Sequence, residues 1–341
     1  MDHDPIQQYY GETLGSTGDL KTGACCSPDA MPAHLREWLA ELPRAVTDRF
    51  YGCGSPIPAA LEGATVLDLG CGTGRDAFLV SRLVGATGRV IGLDMTPAQL
   101  EIARQAQASH RQLTGLDNLD FRDGRIEALA AAGIEDASVD VVISNCVLNL
   151  SADKARVFAE ILRVLKPGGE LFFSDVYADR RIPRELLEDP VLRGECLSGA
   201  LYMEDFRRLL LEQGVADYRI TARSPVPLLD AEIEARIGMV TFESITVRAF
   251  KLDLEDRCED FGQVATYRGS IAHHPHRFML DDHHLFERDR PMLVCGNTAA
   301  MLADTRYGAH FDVTPRGSHF GLFGGCAAPA TQDASASGAC C

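Results

Sequence analysis

The sequence predicts an α/β chain, a doubly wound and mostly parallel sheet followed by a small β-rich appendage at the C-terminus. Three observations carry that expectation. Apolar runs of strand length alternate with amphipathic helical patterns from residue 64 to about 176, the βαβ alternation of a parallel sheet. The first run, Val66-Leu67-Asp68-Leu69, passes straight into Gly70-Cys71-Gly72-Thr73-Gly74. A strand, a glycine turn and a helix in that order bring backbone N–H groups close to a nucleotide-like ligand. From about residue 254 the pattern changes to short β-like runs among His, Asp and Gly clusters.

Taken in order, residues 1–30 are polar and glycine-bearing, with Cys25-Cys26 near their end, and a partly mobile arm is expected. Leu35, Trp38, Leu39, Leu42, Val46 and Phe50 recur at helical spacing, so a helix bent near Pro43 should pack on the main domain. It runs into Tyr51-Gly52-Cys53-Gly54, a glycine-flanked turn presenting a thiol. Strands are expected at 64–69, 89–94, 118–122, 139–145 and 169–176, and helices at 75–84, 97–112 and 153–165. Lys166-Pro167-Gly168-Gly169 reads as the turn that stops the last of these helices. A helix at 203–213 and strands at 216–222 and 240–252 follow, then short runs at 262–267, 276–280 and 292–295. The domains expected are an arm and helix (1–50), the main domain (51–253), a β-rich domain (254–323) and a flexible tail (324–341) ending in Cys340-Cys341.

Composition narrows the function. A net charge of −16 argues against nucleic-acid backbones and anionic membranes, which select clustered Lys and Arg. No apolar run reaches the ~20 residues needed to cross a bilayer, and a soluble, cytoplasmic monomer is expected. Eleven cysteines are many for such a chain; the number is odd, and a reducing compartment disfavours structural disulfides. C-x2-C zinc spacing is absent.

The ligand can be narrowed further. Asp94 lies 94 − 68 = 26 positions past Asp68, at the end of Val90-Ile91-Gly92-Leu93, where a carboxylate can accept from ribose hydroxyls. It could instead cap the helix opening at Thr96-Pro97. The triplet is G-x-G-x-G rather than the dinucleotide G-x-G-x-x-G, and Met95 is suited to adenine, both of which favour S-adenosylmethionine over NAD. Gly70, Gly72 and Gly74 should cradle it, Ile126 and Glu127 should touch adenine, and Asn145 lies at the same sheet edge.

At this point the chain resembles the arsenite S-adenosylmethionine methyltransferases. The likeness rests on Leu20-Lys21-Thr22 leading to Cys25-Cys26, on Tyr51-Gly52-Cys53-Gly54, on Leu67 to Asp76, and on Ile91 to Thr96. It continues in Ser144-Asn145-Cys146-Val147, Phe173-Ser174-Asp175-Val176-Tyr177 and Gly194-Glu195-Cys196-Leu197, with Leu165 to Gly169 shared more widely by class I methyltransferases. The resemblance implies a Rossmann-like class I methyltransferase sheet. It also implies that Cys53, Cys146 and Cys196 hold trivalent arsenic, with Cys25 or its neighbour Cys26 as a fourth thiol. Arsenic(III) is soft, so thiolates suit it. Arsenite has three positions to exchange for sulfur and methylarsenite two, so Cys146 and Cys196 should serve every cycle and Cys53 only the first. Methylation formally oxidises the arsenic. A thiol reductant such as thioredoxin or glutathione is expected as co-substrate, with Cys25 or Cys26 pairing transiently with Cys53.

Other features have plainer readings. Cys71 is expected to be structural. His273, His274, His276, His283 and His284 read as a solvated cluster rather than a metal site, and Cys340-Cys341 could chelate arsenic in a flexible tail. Glu195 and Asp175 are expected to shape the substrate pocket. Two other functions remain compatible with the residues: a methyltransferase for a small organic acceptor such as a quinone or sterol, and a thiol-rich arsenic-sequestering protein.

Overall fold

The computed structural model describes residues 31–187, 189, 192–193, 196–228 and 230–324. Expectations for Cys25, Cys26, Glu195 and Cys340-Cys341 therefore lie outside the described residues. The main sheet contains β1 (Thr65–Leu69), β2 (Arg89–Asp94), β3 (Leu119–Asp123), β4 (Val139–Asn145), β5 (Leu165–Ala178), β6 (Leu201–Tyr202), β7 (Tyr218–Pro225) and β8 (Phe242–Phe250). Its order is β3-β2-β1-β4-β5-β8-β7, with β6 pairing on β5. The ladders from β3 to β5 are parallel, while β8 runs antiparallel to both β5 and β7. The strand order reverses between β1 and β4, and their carboxyl ends open the crevice where such sheets take ligands.

Why the strands read as nearly unbroken apolar runs is visible in β1. Val66 faces one core with Ala77, Phe78 and Val80 of the helix Arg75–Val84 and Leu100 and Ala103 of the helix Pro97–Thr114. Leu67 and Leu69 face the other, with Val157, Phe158 and Ile161 of the helix Lys154–Val164 and Phe206 of the helix Met203–Glu212. A strand covered on both faces has no polar side to alternate. Each fully buried Leu or Phe contributes about 1.5–3 kcal/mol.

The N-terminal segment breaks at Pro43 as expected, into Ala33–Ala40 and Arg44–Thr47. The largest boundary difference in the main sheet is at the start of β5. The expected turn at 166–169 is absorbed into β5, which begins at Leu165 directly after its helix. The extra residues bulge out of the β4 ladder, whose register steps from Val139↔Leu165 to Val141↔Glu170, and they bond across to Lys251 through Gly168 N–H and Gly169 C=O.

After β8, a three-stranded antiparallel sheet (Gln263–Tyr267 between Pro291–Val294 and Phe311–Val313) and a hairpin (Arg277–Met279 with Leu285–Glu287) enclose their own core around Tyr267, Phe278, Phe286 and Tyr307. The region also carries a helix, Gly296–Ala303, which the sequence pattern does not signal because its residues are small and lack an amphipathic stripe. The histidine expectation holds for His273, His276 and His283, which are exposed, and fails at His284. His284 is buried, its Nδ1 2.8 Å from Asp281, and His273 stacks on His34 with ring centroids 3.9 Å apart. Most of the cluster thus faces solvent, with His284 its buried member.

Candidate active site

The crevice is built first from the turn after β1. Gly70, Gly72 and Gly74 all take positive φ (69°, 54° and 86°), the left-handed region that glycine enters without penalty. Gly70 and Cys71 N–H donate to the Leu93 carbonyl at 2.8 and 3.0 Å, holding the turn across the end of β2. Asp94 braces it from the other side, accepting from Gly72 N–H and Thr96 N–H at 2.8 Å each. The residue flanking the helix is Thr96 itself, so Asp94 joins the turn to that helix while lining the crevice.

The electrostatics discriminate between ligands. Asp68 is 4% exposed, and among the described residues its Oδ2 has no hydrogen-bond partner. Burial raises its pKa well above the carboxylate range, with Asp76 and Asp94 adding to the effect and Arg75 opposing it. Burial also raises Asp94, against the two N–H bonds it accepts. A crevice with converging carboxylates and an orphaned oxygen fits a cationic ligand, as a sulfonium with an amino group would be. The pyrophosphate of a dinucleotide would add negative charge to the same place. Met95, Ile126, Glu127 and Asn145 all line the crevice, as expected. Glu127 accepts from the Ser151 hydroxyl at 2.5 Å.

Asn145 does more than line it. Its Oδ1 accepts from Cys53 N–H (2.9 Å) and Gly54 N–H (3.2 Å), and its Nδ2 donates to Gly54 C=O (2.9 Å) and Asp76 (3.1 Å). The amide is fully used in pinning the 52–54 turn to the ligand crevice. The flanking glycines follow from this close approach. A Cβ on Gly54 would lie 2.2 Å from Ser174 Oγ and 2.6 Å from Ser174 Cβ, and one on Gly52 would lie 2.5 Å from the Asn145 amide.

The three described candidate thiols converge at this edge. Cys53, Cys146 and Cys196 are 0%, 5% and 5% exposed and belong to one apolar cluster with Val176, Leu197 and Phe242. Cys146 N–H donates to Ser174 C=O at 2.8 Å, and the Cys196 thiol donates to the Cys146 carbonyl at 3.3 Å. Cys53 is joined to Cys146 by a disulfide, with Cα atoms 5.9 Å apart across 93 positions of sequence. The transient partner expected for Cys53, Cys25 or Cys26, lies outside the described residues. Asn145 holds the Cys53 N–H and the Ser244 hydroxyl its carbonyl (2.6 Å), which sets Cys53 directly over the end of β4. Cys71, inside the glycine turn, is buried and outside this cluster, and burial raises its thiol pKa.

Some neighbours were not read as chemical from the sequence. Asp175, 1% exposed, has a carboxylate oxygen within 4.8 Å of both disulfide sulfurs. It accepts from Asn149 N–H, Asn149 Nδ2 and Val176 N–H at 3.0, 2.7 and 2.9 Å, and burial pushes its pKa up to about 7 against those donors and the Lys154 charge. Lys154 donates to the carbonyls of Asn149 and Ser151 at 3.2 and 2.9 Å, and burial lowers its pKa. The sequence already placed Asp175 at the pocket, but nothing in its spacing signals Lys154, which reaches the site from a different element.

Comparison with known proteins agrees with this geometry. The family described as "Methyltransferase domain" matches residues 60–214, and "Arsenite methyltransferase C-terminal domain" matches 261–340. The chain is 49% identical to the arsenite methyltransferase of Aquipseudomonas alcaligenes over 95% of this chain and 94% of that one. It is 39% identical to the human arsenite methyltransferase over 96% of this chain and 88% of that one. The solved structure of an arsenic(III) S-adenosylmethionine methyltransferase from Chlamydomonas reinhardtii superposes with a TM-score of 0.83 at 50% identity, covering 86% of this chain and all of that one. The chain belongs to the arsenite methyltransferase family.

Proposed function

We propose that this protein methylates Cys-bound trivalent arsenic, using S-adenosylmethionine as methyl donor, with Cys146 and Cys196 gripping arsenic in each cycle and Cys53 adding a third sulfur for arsenite. The observation that carries this reading is the convergence of the three buried cysteines beside a crevice suited to a cationic adenosyl ligand, with Cys146 in its lining. Asp94 would take the ribose hydroxyls, Met95 and Ile126 the adenine with Glu127 beside it, and the Gly70–Gly74 turn with Asp68 the charged amino-acid end. When bound, the cofactor supplies an electrophilic methyl group on a sulfonium. Residues 53, 146 and 196 exchange each arsenic hydroxyl for a sulfur, the thiol proton leaving with the hydroxide as water. This leaves the arsenic lone pair unprotonated, so the transfer needs no general base. Holding donor and acceptor in line supplies up to ~7–11 kcal/mol of effective concentration. The apolar wall of Val176, Leu197 and Phe242 excludes water from the arsenic–sulfur bonds.

The transfer leaves pentavalent methylarsenic. Two thiolates departing as a disulfide return two electrons to it, and the Cys53–Cys146 bond is the natural product of the first cycle. A thiol reductant of the thioredoxin or glutathione kind would then reopen that bond before arsenic binds again. Arsenic speciation after incubation with arsenite or methylarsenite, S-adenosylmethionine and a dithiol tests the reading. Cys146→Ser and Cys196→Ser should abolish methylation of both substrates, while Cys53→Ser should spare methylarsenite. Equal loss on both substrates in Cys53→Ser would refute the division of labour.

A further inference from the structure

The turn that presents Cys53 is held at two ends. Asn145 pins Cys53 and Gly54, and the chain then runs through Ser55-Pro56-Ile57-Pro58 to Ala59 and Ala60. Two prolines fix φ along this strap and limit how far its ends can move independently. The far end is gripped by the C-terminal region. Arg306 Nε donates to Ala60 C=O at 2.8 Å and its Nη2 to Ala59 C=O at 2.9 Å, a two-pronged hold on consecutive carbonyls. The same guanidinium donates to the Tyr307 hydroxyl at 2.7 Å and pairs with Glu170 of β5, whose side chain is fully buried. Ala59 and Ala60 pack against the C-terminal core, whereas Ile57 packs against the core under the glycine turn. The strap therefore bridges two cores, with Cys53 at the end that Asn145 holds.

We propose that Arg306 is a positioning residue for the arsenite step: by anchoring this strap it holds Cys53 within reach of Cys146. The inference rests on the reading that Cys53 supplies the third sulfur. Lysine would keep the charge opposite Glu170 but has no planar fork for two neighbouring carbonyls, so Arg306→Lys isolates the anchor from the ion pair.

The test compares wild type, Arg306→Lys and Cys53→Ser as full chains. Initial rates are taken separately on arsenite and methylarsenite, and the Cys53–Cys146 bond is equilibrated in glutathione buffers. Arg306→Lys should lower the arsenite rate about tenfold and leave the methylarsenite rate within about twofold, because only the effective concentration of one thiol falls. Its equilibrium constant for forming the disulfide should fall by about the same tenfold. S-adenosylmethionine affinity and Tm serve as controls for folding. Equal losses on both substrates, or an unchanged disulfide equilibrium, would overturn the proposal. If Cys53→Ser itself lowers both rates equally, the role of Cys53 fails, and the glutathione equilibrium of Arg306→Lys still decides whether the anchor exists.

Discussion

Single residues at this site are constrained by backbone contact as much as by chemistry. Gly54 illustrates it, since Ser174 occupies the place a Cβ would need and the blocking atoms include the rigid Ser174 Cβ. Gly54→Ala must lift the turn that Asn145 and Ser244 hold, moving Cys53 away from Cys146. The expected outcome is an arsenite methylation rate at least about tenfold lower, a size typical of reacting groups displaced by about an ångström. Steady-state rates with arsenite check it. The glycines beside Cys53 were legible in the sequence as a turn, but the reason for Gly54 was not, because the Ser174 atoms it avoids lie 174 − 54 = 120 positions away.

Between elements, the contact of the helix Arg75–Val84 with the helix Pro97–Thr114 turns on a buried imidazole. His110 Nε2 lies 2.9 Å from Ser81 Oγ, which itself donates to Asn118 at 2.6 Å. Burial lowers the His110 pKa to about 4, with the Arg82 charge adding to it. Because the folded value lies below the unfolded one near 6.5, the unfolded chain binds the proton more readily in between. Stability from this group is therefore full above about pH 6.5 and is lost as the pH falls toward about 4. His110→Gln should flatten that part of a plot of Tm against pH, leaving the profile above pH 7 unchanged in shape. The helices themselves were readable from their apolar spacing. The 165–169 segment was not, since the turn chemistry of Lys166 to Gly169 was satisfied inside a bulged strand by a partner, Lys251, that no local pattern reveals.

Across the whole molecule, the main sheet and the C-terminal region share a buried ionic junction. Arg248 of β8 and Glu170 of β5 are 3% and 0% exposed and meet at 2.5 Å, with Arg306 and the Tyr307 hydroxyl completing the shell. Arg248 also donates to the Leu280 carbonyl, so one side chain touches both regions. Removing one partner of a buried pair strands the other charge, at a cost of about 3–5 kcal/mol. Glu170→Gln should accordingly destabilise the full chain by that order in urea titration, with the two regions losing structure together. A variant melting like wild type would show that Arg306 and Arg248 find other partners.

What the sequence determined by itself is the part of the protein written in local periodicity and local turn chemistry. The alternating strands and helices, the glycine turn after Asp68, the acid at Asp94 and the break at Pro43 follow from neighbours within a few residues. The cysteine motifs carried the family through resemblance. Tertiary structure alone decided that Cys53 is bonded to Cys146, that Asn145 is spent on the Cys53 turn, and that Lys154 stands beside Asp175 and Cys196. It also decided that Arg306 reaches back 246 positions to the strap. Those contacts join loops, helix starts and strand ends far apart in the chain, and folding erases that sequence distance without leaving any mark in the residues it connects.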